Sequence, residues 1–518
     1  MTSSLIRSRP RRAKAHIRVR VVCAVLGALV GAEWLVLPVM TAGDRDPVPA
    51  SADGPVAAAV AQDQDGASAT DLLMPLVAVG AAGALAGYGY LRRTRRARTR
   101  TTPGVVSAAA PAPTSPENER QARAALVLAD DCVRGSREEL CFVEELSGAG
   151  AVGPFVHALR AAETELSAAF AIWRRYEEGV PGDEGARRQA LVGVVGRCAE
   201  AGRRLDAEAP ELDRVRGLEQ GVGEALEVAE GRFRELTART SAAQATAADL
   251  HQRYAPSAGA PVTGYVEQAK DRLVFATSQL NESRQAADSG EERLAARQLR
   301  AAEGGVAQAG VLVGGVERLA AELREAAGLV PAALTGGEAE IAEARKAGGR
   351  TSLATGELHA RLAHADGVLA AVRAELTGGP YDPLDALRRI ARAVDRLETG
   401  RSGVMEAAAQ LVARSAVAGA EDFIAVHRGA VGAEARARLA EADRALGAGR
   451  HAEADTRAGE SRDLAERDVR ARGNPYPDGH VLGLTGAVLG GILLAEDPDA
   501  GPPTSYGGPQ TRGRRHLP

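Results

Sequence analysis

The chain has 518 residues, room for a sizeable core, yet only sixteen of them, 3%, are aromatic. Large globular cores lean on aromatic area, so this palette of Ala, Leu and Val suits thin helical layers better than a thick α/β core. A net charge of −4 with both signs mixed argues against a general nucleic-acid binder.

All basic residues but Lys14, Lys270 and Lys346 are Arg, the mark of a GC-rich genome. The cysteines, Cys23, Cys132, Cys141 and Cys198, form no C-x-x-C pair and read as buried or inert thiols in a reducing compartment.

In chain order, residues 1–20 are a basic N-terminus with seven Arg or Lys and no acid. Val21 to Met40 is apolar and about as long as a bilayer is thick at 1.5 Å rise per residue. Its ten Val and Leu residues favour insertion by roughly 3 to 6 kcal/mol together, and Glu33 opposes it by about 3. Two readings fit: a first transmembrane helix, or a secretory signal with Ala50-Ser51-Ala52 as its cleavage site. Either places residues 41–71 outside the cell. That stretch carries six Asp against Arg45, has no helix or strand period, and reads as a disordered loop.

Leu72 to Leu91 is uncharged, with Gly80, Ala84 and Gly87 spaced for close helix approach and Tyr88 and Tyr90 at the level of an aromatic belt. It predicts a second transmembrane helix. Six Arg follow between Arg92 and Arg100. By the positive-inside rule both basic clusters stay cytoplasmic, with the bulk of the chain behind them. The second cluster reads as a stop-transfer signal, with contact to anionic head groups as a by-product. Residues 92–114 form a basic and Pro/Thr linker.

Ser115-Pro116-Glu117 reads as a helix cap, a first-turn Pro and a first-turn acid. From there to residue 473 the pattern predicts a cytoplasmic all-α domain of about ten helices, an elongated array of coiled-coil-like up-and-down hairpins. Leu299, Ala302, Val306, Ala309, Val313, Val316, Ala320, Leu323, Ala327 and Val330 keep 3,4 spacing over four heptads. Leu358 to Leu376 and Ala435 to Leu446 repeat it.

Breaks are predicted at Gly148 to Pro154, Gly179 to Gly182, Pro256 to Pro261, Ser289-Gly290, Gly328 to Pro331, Gly336-Gly337, Gly348-Gly349 and Gly378 to Pro380. Asp382-Pro383 opens the next helix, with Asp385 at the capping position. Five glycines from Gly304 to Gly315 predict a soft or kinked middle of the longest helix.

Residues 474–518 read as a flexible tail. Val481 to Ala495 is apolar but only fifteen residues long, short of the ~20 that a third crossing needs, and reads as a segment that touches membrane or protein. The Gly/Pro-rich end with Arg512, Arg514 and Arg515 reads as disordered.

No motif for catalysis, cofactor or metal appears. His359 and His364 are five apart, off the shared helix face that two metal ligands need. There is no P-loop, nucleophile elbow or Rossmann fingerprint, and no Cys/His cluster at metal spacing. Charged pairs such as Glu317 with Arg318 and Glu322 with Arg324 read as the solvated face of helices. The expectation is therefore a non-enzyme with no site residues, no cofactor and no small-molecule substrate. Its partners are the bilayer and either an unidentified protein or another copy of itself. The alternative is a sensor of anionic lipid.

Several phrases, RRTRRARTRTTPG (92–104), RYAPSAGAPV (253–262), YDPLDALRRI (381–390) and AEDFIAVHRGAVGAEARARLAEADRAL (420–446), resemble the cytoplasmic half of actinobacterial TPM-domain membrane proteins. The tail's VLGGILL and SYGG…TRGRR are similar to that family's Gly-rich end. The resemblance implies a signal peptide leading into an extracytoplasmic α/β TPM module, associated elsewhere with phosphatase activity and photosystem repair. Here residues 41–71 stand in its place and are far too short to hold it. The resemblance is thus to a family member without its outer module, and carries no catalytic residue over.

Overall fold

Ala- and Leu-rich sequence with legible caps gives helices, and helices are what the computed structural model contains. It describes residues 115–347, 355–397, 403–473 and 504–515. These belong to the second of two units, Ala108–Pro518. The expected spans at 21–40 and 72–91, the outer loop, the linker and the apolar stretch 481–495 lie outside the described residues. No helix among the described residues is long and apolar enough to cross a membrane, and there is no strand among them.

The helices are α1 (Ser115–Ser147), α2 (Ala149–Glu177), α3 (Glu184–Arg216), α4 (Gly223–Arg253), the single turn α5 (Pro256–Gly259), α6 (Tyr265–Asp288), α7 (Glu292–Ala347), α8 (Thr355–Gly378), α9 (Pro383–Asp395), α10 (Gly403–Val426), α11 (Ala433–Gly447), α12 (His451–Gly473) and α13 (Pro509–Arg515). A 3-10 turn at Ala260–Val262 links α5 to α6.

Most predicted breaks are real. Asp382 caps α9 as the sequence indicates, its carboxylate accepting from the Asp385 N–H at 3.0 Å. The break at Gly217 is absent from the predicted set. There Gly217 ends α3 in the left-handed conformation, φ +63°, which glycine adopts without strain.

The longest helix departs from expectation. Breaks were expected at Gly328 to Pro331 and at Gly336-Gly337, but α7 runs uninterrupted for 56 residues with Pro331 inside it. Two of the glycines expected to soften it are packing surfaces instead. A Cβ at Gly305 would lie 3.2 Å from the Arg272 carbonyl oxygen, and one at Gly315 would lie 3.0 Å from Asp422 and 3.2 Å from Tyr265. These two glycines let neighbouring elements come close to α7.

The heptad seam of α7 is buried except Ala327, which is half-buried beside a fully buried Ala326. Burial also reaches Leu312, Glu303, Gln308 and Glu322, off the seam. A two-stranded coiled coil buries one stripe, whereas α7 packs against α4, α6, α8, α9 and α10. It is a central helix of a layered bundle.

The hydrophobic core falls into clusters. The largest joins α4, α6, α7, α8 and α9; a second joins α1, α2 and α3 around Trp173, Phe155 and Leu205. A third joins α10, α11 and α12. Alanines fill many of these positions, each hiding little area at roughly 25 cal/mol per Å². The polar clusters between the layers are correspondingly prominent.

Candidate functional site

The C-terminal end also departs from expectation. The expected disorder does not hold for residues 504–515, which lie against α1, α3 and α7 with Tyr506 and Thr504 fully buried. The physical reason is a seat cut from small residues and rimmed with acids.

On α3, a Cβ added at Gly202 would sit 2.7 Å from the Pro509 Cδ, so peptide and helix backbones touch with nothing between them. Gly507 takes φ +130°, a region closed to residues with a Cβ. Its N–H donates to the Ser136 hydroxyl at 3.1 Å. Tyr506 is the anchor. Its ring meets Phe155 edge-on at 6.0 Å, its hydroxyl donates to the Phe155 carbonyl at 3.2 Å, and its N–H donates to the Glu139 carboxylate. Asp206 of α3 accepts from the first free N–H groups of α13, at Gln510 (3.3 Å) and Thr511 (2.9 Å), an acid at a helix N-terminus supplied by another helix. Arg512 donates to the carbonyls of Asp131 (3.1 Å) and Ser505 (2.8 Å). Arg515 donates to Ser505 Oγ at 2.7 Å and the Tyr506 carbonyl at 3.1 Å, and also pairs with Asp213.

Beneath the peptide lies a dry charge cluster. Arg216, 4% exposed, ends α3 between Glu139 of α1 and Glu303 of α7, bonded to both. Arg300 reaches Glu139 at 3.4 Å and Asp213 at 3.2 Å. Arg515 stands 3.5 Å from Glu139, and the Thr504 hydroxyl donates to Glu303 at 2.9 Å.

The two carboxylates respond in opposite directions. Burial pushes each upward. At Glu139, Arg216, Arg515 and Arg300 with the Tyr506 N–H outweigh burial and hold the carboxyl well below the usual range. At Glu303, Arg216 and Thr504 do not compensate burial, and the carboxyl rises. Burial also pushes the Tyr506 phenol up. Burial acts on the two buried cysteines in the same way, raising the Cys132 thiol to about 11 and the Cys198 thiol to about 12.

A second cluster fastens α10 and α11 to α1. Arg436, 2% exposed, bonds Asp130 (2.5 Å), Asp131 (2.7 Å) and the Arg428 carbonyl (2.6 Å). Arg134 grips Glu421 through two bonds, 2.5 and 3.1 Å, and Arg428 grips Glu138 likewise at 2.7 and 2.9 Å.

A groove of about 360 Å³ opens between the α5 turn, α6, α7, α9, α10 and α12. Within it Arg318 bonds Asp422 at 2.5 Å, the Ser415 hydroxyl donates to Glu322 at 2.6 Å, and Arg462 lies 4.0 Å over the Phe423 ring. Its charges engage one another.

Of the charges read as solvated, Glu322 departs from the expectation, 5% exposed and bonded inside the groove, while Glu317 stays at the solvated face in an exposed pair with Arg239 of α4 at 2.8 Å. His359 and His364 are both exposed. The residues of the seat went unread. Composition pointed to disorder, and the signal against it was a lone aromatic, Tyr506, set among glycines and arginines. The seat offers the tail an aromatic anchor, backbone contact and charge-paired hydrogen bonds.

No family model matches the chain, and no solved structure does. It is similar to the UPF0603 proteins MT2410 and Rv2345 of Mycobacterium tuberculosis, strains CDC 1551 / Oshkosh and ATCC 25618 / H37Rv. Each is 28% identical over 425 residues, covering 75% of this chain and 64% of the relative. The chain therefore spans less than two thirds of the curated relatives it matches.

Proposed function

We propose that the chain is a membrane-tethered helical scaffold that binds protein segments through its bundle. The observation carrying this reading is the seat on α1, α3 and α7, which holds a peptide by matched charges, a buried aromatic anchor and glycine-to-glycine contact. Peptide recognition of this kind needs a concave, preorganised surface with polar groups fixed in place, and the Glu139–Arg216–Glu303 cluster supplies that rigidity.

The test is a titration. The full chain ending at residue 503, in detergent micelles, should bind a fluorescent peptide of sequence TSYGGPQTRGRR saturably. The same peptide with Tyr506→Ala should bind at least tenfold more weakly. A flat titration with the unaltered peptide would overturn the reading.

The tether rests on the sequence. The span at 72–91, together with 21–40 as either a first span or a signal segment, each beside a basic cluster, anchors the chain in the cell membrane with the bundle on the cytoplasmic side. Protease added outside intact cells should leave the bundle whole, and its digestion there would refute this placement. The reading extends to the TPM-type resemblance, with residues 41–71 in place of the outer module. A solved structure of either mycobacterial relative whose matching segment had a different fold would remove it.

A further inference from the structure

We propose that the seat also takes the C-terminal peptide of a second copy, so that exchanged tails link copies of the chain. The inference rests on the peptide-binding reading above and names the partner at that same site.

Three observations carry it. First, the contacts that hold Tyr506 to Arg515 join the peptide to α1, α2 and α3 or stay within the peptide, and Thr504 adds the bond to Glu303 of α7. A tail from another copy would make every one of these bonds unchanged. Second, thirty residues, 474–503, separate Gly473 from Thr504, enough to span up to about 100 Å. Covalent connection therefore does not dictate whose seat a tail fills. Third, charge complementarity selects this occupant. Asp213 and Glu139 of the seat meet Arg515 of the peptide, and the Asp206 carboxylate accepts the Gln510 and Thr511 N–H groups.

Exchange of an identical element between copies preserves every native contact and so has little intrinsic cost. A tethered tail competes for its own seat at an effective concentration of about a millimolar. Copies confined to one membrane surface supply competing tails. The expected behaviour is a closed monomer at low density and linked copies at high density.

Two variants of the full chain separate exchange from other self-association. One ends at residue 503 and has an open seat with no tail. The other carries Gly202→Leu, which fills the notch that Pro509 occupies. The three atoms nearest to a Cβ there all belong to Pro509 and Gly508 of the tail, so the bundle should tolerate the change while the tail is freed. In detergent micelles, affinity-tagged truncated chain should capture the untagged Gly202→Leu chain. Capture should fall at least tenfold when the latter also carries Tyr506→Ala, and free TSYGGPQTRGRR peptide should compete it away. Equal capture with and without Tyr506→Ala would overturn the proposal, because the copies would then be meeting elsewhere. No capture, from a truncated chain that still binds the peptide, would overturn it while leaving the peptide-binding reading intact. A truncated chain that fails to bind the peptide would remove both.

Discussion

Arg216→Met should destabilise the bundle far more than its single lost side chain implies. The guanidinium is 4% exposed and bonded to Glu139 and Glu303, which are 0% and 1% exposed. Removing it leaves Glu303 with only the Thr504 hydroxyl, whereas Glu139 keeps Arg300, Arg515 and the Tyr506 N–H. Breaking a buried pair from one side costs about 3–5 kcal/mol, most of it the stranded charge. A loss of ~4 kcal/mol, against a urea slope of about 3 kcal/mol per M, moves the unfolding midpoint down by more than ~1 M. The readout is urea unfolding followed by far-UV circular dichroism. Adding Glu303→Gln to Arg216→Met should recover more than half of the loss, because the stranded charge goes with it.

The pH dependence carries a sign. Glu303 has a folded pKa raised above its unfolded value, so its charge costs stability at neutral pH. Protonation as pH falls relieves that cost. Without Arg216 the shift is larger, so the gap between variant and unaltered protein should narrow as pH falls from 7 toward 5. A cost below about 1 kcal/mol for Arg216→Met, or a double variant no better than the single, would show that the cluster is not the dry one described.

Arg272 is 2% exposed, its three guanidinium nitrogens have no hydrogen-bond partner among the described residues, and burial lowers its pKa to about 10. A drop of 2.5 from 12.5 corresponds to a cost of about 3 kcal/mol, so Arg272→Leu should raise the thermal midpoint; a lower midpoint would refute the assignment. Burial holds His427 at about 4, against an ordinary 6.5. Its unfolded form takes up the proton first, so stability should fall as pH drops from 6.5 to 4, and His427→Phe should flatten that limb of the calorimetric profile. Gly202→Leu should release the peptide, with amide exchange at Tyr506 and Gly507 accelerating at least a hundredfold; unchanged protection would place the tail elsewhere. Gly315→Leu should push Tyr265 and Asp422 off α7 and cost about 1–3 kcal/mol in urea unfolding, and a neutral result would mean the helices are not in contact there.

The helices of the bundle were legible because their signals are local. The Asp382-Pro383 cap, the glycine breaks and the 3,4 spacing of α7 each involve residues within a turn or two of one another. The misread glycines, acids and tail involve partners far away in the chain. Gly305 and Gly315 looked like weak points because a helical glycine costs about 1 kcal/mol when exposed, and only α6 and α10 reveal the close contact that offsets it. Glu322 looked solvated because its partner Ser415 is 93 residues away. The tail looked disordered because glycine, proline and arginine have no reason to order alone.

By itself, then, the amino-acid sequence determined that the described residues between 115 and 473 make helices, where most of them begin and end, and which stripe of each is apolar, since 3.6-residue periodicity and caps are written in neighbouring positions. Only the tertiary structure decided that α7 is a central helix, that Glu139, Arg216 and Glu303 from three helices share one buried cluster, and that Tyr506 comes back over more than 360 residues to meet Glu139. Burial and charge pairing depend on which helices meet, and no window along the chain contains that information.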